Sequence, residues 1–293
     1  MLKKSLRHIF SALVFFQSLL IVSGGAVRLT GSGLGCPTWP TCTGNSYTPV
    51  PHQAQGQLHA WIEFGNRLIA WLIFIFAVLA LIGIVRHLKN RNDYRRLRTL
   101  ALLQLLGFVA QAILGGITVL TKLNPITVSA HFLLSVPLVS GAISLRNGYL
   151  YRDYFEVGAT TKLFKNIYMG ATVLLLVVGT VVTGSGPLSG DVAARRYPFD
   201  VTIIARLHSY VAILTLISLI GLYLSIRVNE NESVKNGVEK LLALSILTMV
   251  IQGVIGYRQF SLGLPEILVG LHLLGATITW ILAWNTNLRI RKR

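Results

Sequence analysis

Eight separate apolar runs, each close to the roughly 20 residues of helix that cross a hydrocarbon core, leave this chain very few folds to choose from. They lie near 9–28, 64–86, 99–120, 126–146, 164–183, 202–226, 238–257 and 265–288. None alternates apolar with polar residues, as the strands of a membrane barrel do. The runs therefore predict an all-α integral membrane protein with eight transmembrane helices. Composition agrees, since 53% of residues are hydrophobic and only 13% are charged. Lys3, Lys4 and Arg7 ahead of the first run resemble a secretory signal. That run is longer than a signal core and no small-residue cleavage site follows, so it is expected to be a retained helix.

The net charge of +17 raises the question of nucleic acid, and its distribution answers it. With the N-terminus placed inside, 20 of the 27 lysines and arginines fall on the inner segments. This asymmetry predicts cytoplasmic N- and C-termini in a multi-pass protein of the cell (plasma) membrane. The inner loops are too short to build the basic folded face that a nucleic-acid partner needs, so membrane lipid is the expected surrounding.

The long loops, about 29–63 and 184–201, are then on the outer face, where loops of this length tend to cover functional sites. Both cysteines of the chain, Cys36 and Cys42, lie in the first. An oxidising compartment favours a disulfide. A metal pair or a redox-active thiol pair is the alternative, although this spacing matches no common metal motif.

The chain also repeats itself. An offset of 141 brings Leu123 onto Leu264 and His131 onto His272, and Gln111-Ala112-Ile113-Leu114-Gly115 onto Gln252-Gly253-Val254-Ile255-Gly256. An offset of 142 puts Asn66 on His208 and Ala70 on Ala212. Thr30-Gly31-Ser32-Gly33 recurs as Thr183-Gly184-Ser185-Gly186. Each copy holds an even number of spans, so the copies share one orientation. The expectation is two parallel-repeat four-helix bundles, 1–150 and 151–293.

Histidines inside membrane spans are costly and mark function by default. His131, His208 and His272 all lie near the outer ends of their helices. His208 and His272 occupy similar depths in one half, which is what axial ligation of a heme iron requires. A packing hydrogen bond is the plain alternative. In the first half the position of His208 is taken by Asn66, a poor iron ligand, and one turn earlier stands Glu63. A carboxylate there can move a proton, or form an (i, i+4) pair with Arg67 at a helix start, worth a few tenths of a kcal/mol at a surface. His59, one turn before Glu63, is the next residue that could turn inward. Arg206, two residues before His208, and Arg258, expected to begin the loop before the last span, suit the carboxylates of heme propionates, with lipid headgroup contact the plain alternative.

Gly31-Ser32-Gly33, Gly35-Cys36, Trp39-Pro40, Cys42, Glu63-Phe64-Gly65-Asn66-Arg67, Ala130-His131-Phe132, Leu207-His208 and Leu271-His272, in that order, resemble the heme A synthase family. The resemblance implies an oxidoreductase of heme biosynthesis that converts a methyl group of heme O to the formyl group of heme A. It implies heme b as cofactor between His208 and His272, and heme O as substrate with its iron on His131. Asn66 and Arg67 would lie beside that substrate and Glu63 would be catalytic, with Cys36 and Cys42 matching the family's outer-loop pair. Heme O synthase and oxidase assembly factors are the partners it implies; the electron acceptor is not indicated. Many members carry histidine where this chain has Asn66, and some carry a second cysteine pair that this chain lacks. A membrane b-type cytochrome for quinone-linked electron transfer would use the same His208/His272 pair. A transporter would use the repeat, but its polar residues would cluster at mid-membrane.

Overall fold

Backbone polar groups cannot go unpaired in a bilayer, so each apolar run satisfies its own as a helix. The computed structural model describes residues 2–150, 154–192 and 194–292. Its helices are α1 (Leu2–Leu29), α2 (Gln57–His87), α3 (Tyr94–Leu120), α4 (Pro125–Leu150), α5 (Ala159–Ser185), α6 (Val201–Asn229), α7 (Glu232–Ser261) and α8 (Glu266–Arg289). All eight are long and apolar enough to cross a membrane. A pair of three-residue strands, β1 (Phe155–Val157) and β2 (Ile290–Lys292), adds a parallel pairing that the hydropathy pattern does not reveal.

Helix starts are set by local chemistry. The Asp200 side chain accepts from the backbone N–H of Thr202 and Ile203, and that of Asn231 from Val234 N–H, relieving the unpaired amides of α6 and α7. Asn124 does the same for Ile126 just ahead of α4. Several helices begin ahead of their apolar runs, α1 among them, and the one that bears on the site is α2. It begins at Gln57, after Gly56 at φ 84°, seven residues before the apolar run at 64. Hydropathy marks where a helix meets hydrocarbon, and this helix extends past that point. Glu63 is consequently six residues inside α2 and not at its first residue.

The chain forms two compact units, Met1–Tyr151 with Thr183–Pro198, and Arg152–Val182 with Phe199–Arg293. In the first, α1 packs on α2, α2 on α3, α3 on α4 and α4 back on α1, closing a four-helix ring. Its core is Leu6, Phe10 and Leu13 of α1, Ile73, Ala77, Ala80 and Ile84 of α2, Leu97 and Ala101 of α3, and Ala142 and Leu145 of α4. In the second unit α7 packs on α6 and α8. There α5 meets α6 through side chains, with Phe164 against Gly221 and the Thr161 and Ser225 hydroxyls 3.0 Å apart. The core of this unit is Tyr168, Leu219, Leu222, Ile226, Val234, Val238, Leu242, Met249 and Ala283, with Val157 and Ile290 from the strands.

In each unit these cores occupy one end only. Every core residue of α1, α3 and α5, and all but Met249 of α7, lie in the earlier part of the helix, and those of α2, α4, α6 and α8 in the later part. The candidate residues lie at the other end, beside the α1–α2, α3–α4, α5–α6 and α7–α8 connections.

The α3–α4 and α7–α8 connections have the same geometry. Thr121 N–H donates to Ile117 O, Lys122 N–H to Val119 O and Leu123 N–H to Thr118 O. Leu262, Gly263 and Leu264 donate in the same way to Arg258, Phe260 and Gln259. Lys122 and Leu123 have φ of 51° and 57°, and Gly263 and Leu264 have 76° and 64°. Left-handed backbone at two successive residues is rare outside glycine. Here it recurs at positions 141 apart.

Candidate functional site

His208 is seven residues into α6 and His272 six into α8, so their equal depth places the two rings together. The ring centroids are 6.3 Å apart and the planes are inclined by 71°. Metal–imidazole bonds are about 2 Å long, so two rings holding one ion from opposite sides have centroids on the order of 6 Å apart. Each Nδ1 is buried with no hydrogen-bond partner. A packing hydrogen bond between these rings and their surroundings, the plain reading of the pair, is therefore not made through Nδ1. The residues present fit a heme iron between them.

Each ring also rests on a glycine. A Cβ added to Gly179 of α5 would meet His208 Cε1 at 3.2 Å, and one added to Gly256 of α7 would meet His272 Cε1 at 3.3 Å. Nδ1 lies close to the same point, at 3.7 and 3.8 Å respectively. Arg206 is two residues before His208, and Arg258 is in the last turn of α7 and not in the following loop. Both are exposed.

In the first unit, His131 is six residues into α4, the same depth again. A Cβ on Gly115 of α3 would meet its Cε1 at 3.2 Å, and its Nδ1 is buried without a partner. Gln111 of α3 donates to the His131 carbonyl oxygen at 3.2 Å and to Ser135 Oγ at 2.8 Å, fixing the two helices in register. Asn66 accepts a hydrogen bond from Ser23 Oγ at 2.7 Å, which joins α2 to α1.

Glu63 is 6% exposed, so a surface ion pair is not its setting. Its Oε1 accepts from Arg67 Nη2 at 2.7 Å and its Oε2 from the Cys36 backbone N–H at 2.6 Å. Arg67 in turn donates to the carbonyl oxygens of Cys36, Thr38 and Thr41, each at 3.1 Å. A disulfide joins Cys36 and Cys42, closing the loop that these two side chains grip. Glu63 and Arg67 thus anchor the disulfide loop to α2, a role the sequence spacing gave no sign of. His59 Nδ1 lies 3.3 Å from both Ser32 Oγ and the Gly31 carbonyl oxygen, so it too faces the loop.

The second long outer loop, near 184–201, supplies a further structural element. The segment Thr183–Pro198 belongs to the first unit. Arg28 donates to the Thr183 carbonyl oxygen at 2.5 Å and Gly33 N–H to that of Gly190 at 3.0 Å. The Tyr197 hydroxyl lies 3.1 Å from the Pro125 carbonyl oxygen and from Ser129 Oγ, two residues before His131. The Tyr197 ring covers Gly184, where any Cβ would meet it at 2.5 Å. This segment straps the end of the bundle that carries His131.

The sequence pattern of a family described as cytochrome oxidase assembly protein matches residues 7–198. The heme A synthase of Geobacillus kaustophilus is 34% identical over 127 residues, 42% of this chain and 36% of that protein. That of Oceanobacillus iheyensis is 33% identical over 115 residues, 39% of this chain and 35% of the relative. That of Lysinibacillus sphaericus is 31% identical over 142 residues, 48% of this chain and 43% of the relative. The matched stretch thus spans well under half the length of these curated relatives.

Proposed function

This chain belongs to the family of cytochrome oxidase assembly proteins, and we propose that it is a multi-pass membrane oxidoreductase that converts heme O to heme A. The observation that carries the reading is the division of each unit. Apolar packing fills one end, and the other end presents half-buried histidines at one depth, each resting on a glycine and each with an unpartnered Nδ1. The relatives named heme A synthase support the choice of substrate and product.

In this reading His208 and His272 hold heme b, which when bound supplies electron transfer. Arg206 and Arg258, exposed beside them, pair with its propionates. His131 would hold the iron of the substrate heme O, and Asn66, a poor iron donor, would lie beside that substrate. Oxidising a methyl group to an aldehyde releases protons, and Glu63 is the carboxylate at the depth of His131 to receive them. Arg67 pairs with that carboxylate at 2.7 Å. Both halves are copies of one four-helix unit, 1–150 and 151–293. The shared left-handed connection and the paired contacts of Gly115 with His131 and Gly256 with His272, all at an offset of 141, support this. The termini face the cytoplasm, supported by the lysines and arginines concentrated there, and the disulfide loop faces out. Heme O synthase and oxidase assembly factors are the proteins with which it exchanges substrate and product.

The test is heme chromatography on cells that supply heme O, with and without this chain. Heme A should appear only with the chain, and the purified protein should show a low-spin heme b in its reduced spectrum. Heme b without heme A would favour a second reading, a b-type cytochrome for quinone-linked electron transfer. That reading draws on the Glu63 carboxylate, whose two oxygens are both engaged in holding the disulfide loop.

A further inference from the structure

Three histidines on three helices lie against a glycine of the helix that precedes them in the chain. The pairs are Gly115 with His131, Gly179 with His208 and Gly256 with His272, and the distance from an ideal glycine Cβ to Cε1 is 3.2, 3.2 and 3.3 Å. Contacts that short force a neighbour to shift, and each neighbour here is a rigid aromatic ring. Chance does not readily give the same contact three times.

The contact is also directional in the second unit. On both rings Nδ1 is the nitrogen near the glycine, at 3.7 and 3.8 Å, while Nε2 is not within 4 Å of it. The wall of α5 or α7 thus takes up one edge of the ring, and Nε2 is turned away from that wall. An alanine would put a methyl group 3.2–3.3 Å from the ring edge, tighter than an ordinary contact, and the imidazole would have to turn or retreat slightly from the helix.

Sequence adds a fourth case that runs the other way. The offset of 153 that brings Thr183-Gly184 onto Thr30-Gly31 brings Gly179 onto Ala26. The residue on α2 that corresponds to His208 is Asn66, and it is bonded to Ser23, one turn before Ala26. Where the histidine is absent, so is the glycine.

We infer that Gly179 and Gly256 are positioning residues that fix which imidazole nitrogen His208 and His272 present to the iron; Gly115 holds His131 by the same Cε1 contact but with Nε2, at 3.5 Å, nearer than Nδ1, at 4.0 Å, so it fixes that ring with the other nitrogen toward the helix. The inference rests on the reading of His208 and His272 as heme ligands. Groups that orient a metal-bound histidine typically change metal affinity about 10–100-fold when altered, and the glycines act on orientation in the same sense.

The experiment uses the purified protein with its native heme. Gly179→Ala and Gly256→Ala should each speed heme loss to excess apomyoglobin by about 10-fold or more, and should alter the low-spin electron paramagnetic resonance signal. Gly170→Ala, on α5 with no atom within 4 Å of the added Cβ, should do neither. Gly115→Ala should leave heme b untouched. A second measurement separates ring positioning from simple helix damage. Gly179→Ala should lower the melting temperature of the otherwise unaltered protein, yet cost little when His208 is already alanine, because the ring it strikes is gone. Unchanged heme retention and signal in both glycine variants would overturn the inference, as would an equal loss in Gly170→Ala or an equal melting penalty with and without His208. Absence of heme b from the unaltered protein would instead reject the ligand reading itself.

Discussion

At the scale of single residues, Glu63 carries two demands at once. Its carboxylate closes the disulfide loop through Cys36 N–H and Arg67, and in the proposed reaction it also accepts a proton. Removing one member of a buried ion pair costs about 3–5 kcal/mol, against well under about 1 kcal/mol for an exposed pair. Glu63→Gln is therefore expected to lower the melting temperature of the first unit and to leave the heme b spectrum as it was. Heme A formation should collapse, with heme O or a partly oxidised heme accumulating on chromatography. Full heme A output from this variant would move the proton acceptor elsewhere, with His59 the next residue to alter. The histidines make a cleaner case, since nothing but the ring is at stake. His208→Ala or His272→Ala should each abolish or convert the low-spin spectrum, and an unchanged spectrum in both would remove the heme from this pair.

At the scale of elements, legibility followed from what hydropathy and spacing can encode. Eight helices were readable because a bilayer demands long apolar runs, and the histidines stood out because a polar ring in such a run is expensive. The start of α2 was not readable, because Gln57, His59 and Glu63 interrupt the apolar residues of its first turns, and that end of the helix is held by contacts with the disulfide loop. The glycines under the histidines were present in the repeated strings ending at Gly115 and Gly256, but only the fold shows what each faces. The length of the loop near 184–201 marked it as a cover, but not what it covers, since Tyr197 reaches Ser129 and Pro125 across roughly seventy positions of chain and no periodicity connects them. Tyr197→Phe removes the hydroxyl from both contacts. At about 1 kcal/mol per hydrogen bond, roughly 1–2 kcal/mol of strap stability should be lost. Limited proteolysis should then cleave between Thr183 and Pro198 faster than in the unaltered protein. An equal cleavage rate would mean that Arg28 and Gly33 suffice to hold the segment.

At the scale of the whole molecule, orientation is the property on which the reading of the loops depends. With both termini in the cytoplasm, a cysteine introduced at the exposed Thr48 should react with an impermeant thiol reagent in intact cells, and one at the exposed Asn90 only after lysis. The reverse pattern would turn the molecule over and put the disulfide in a reducing compartment. A different consequence follows from the first unit being discontinuous in the chain. Its ring of four helices is written by residue 150, but its strap is not written until Pro198. Ribosomes add about 5–20 residues per second, so the interval between the two lasts on the order of a few seconds. During synthesis the first bundle therefore stands with the end beside His131 unroofed, and it is completed only after α5 of the next bundle has been made.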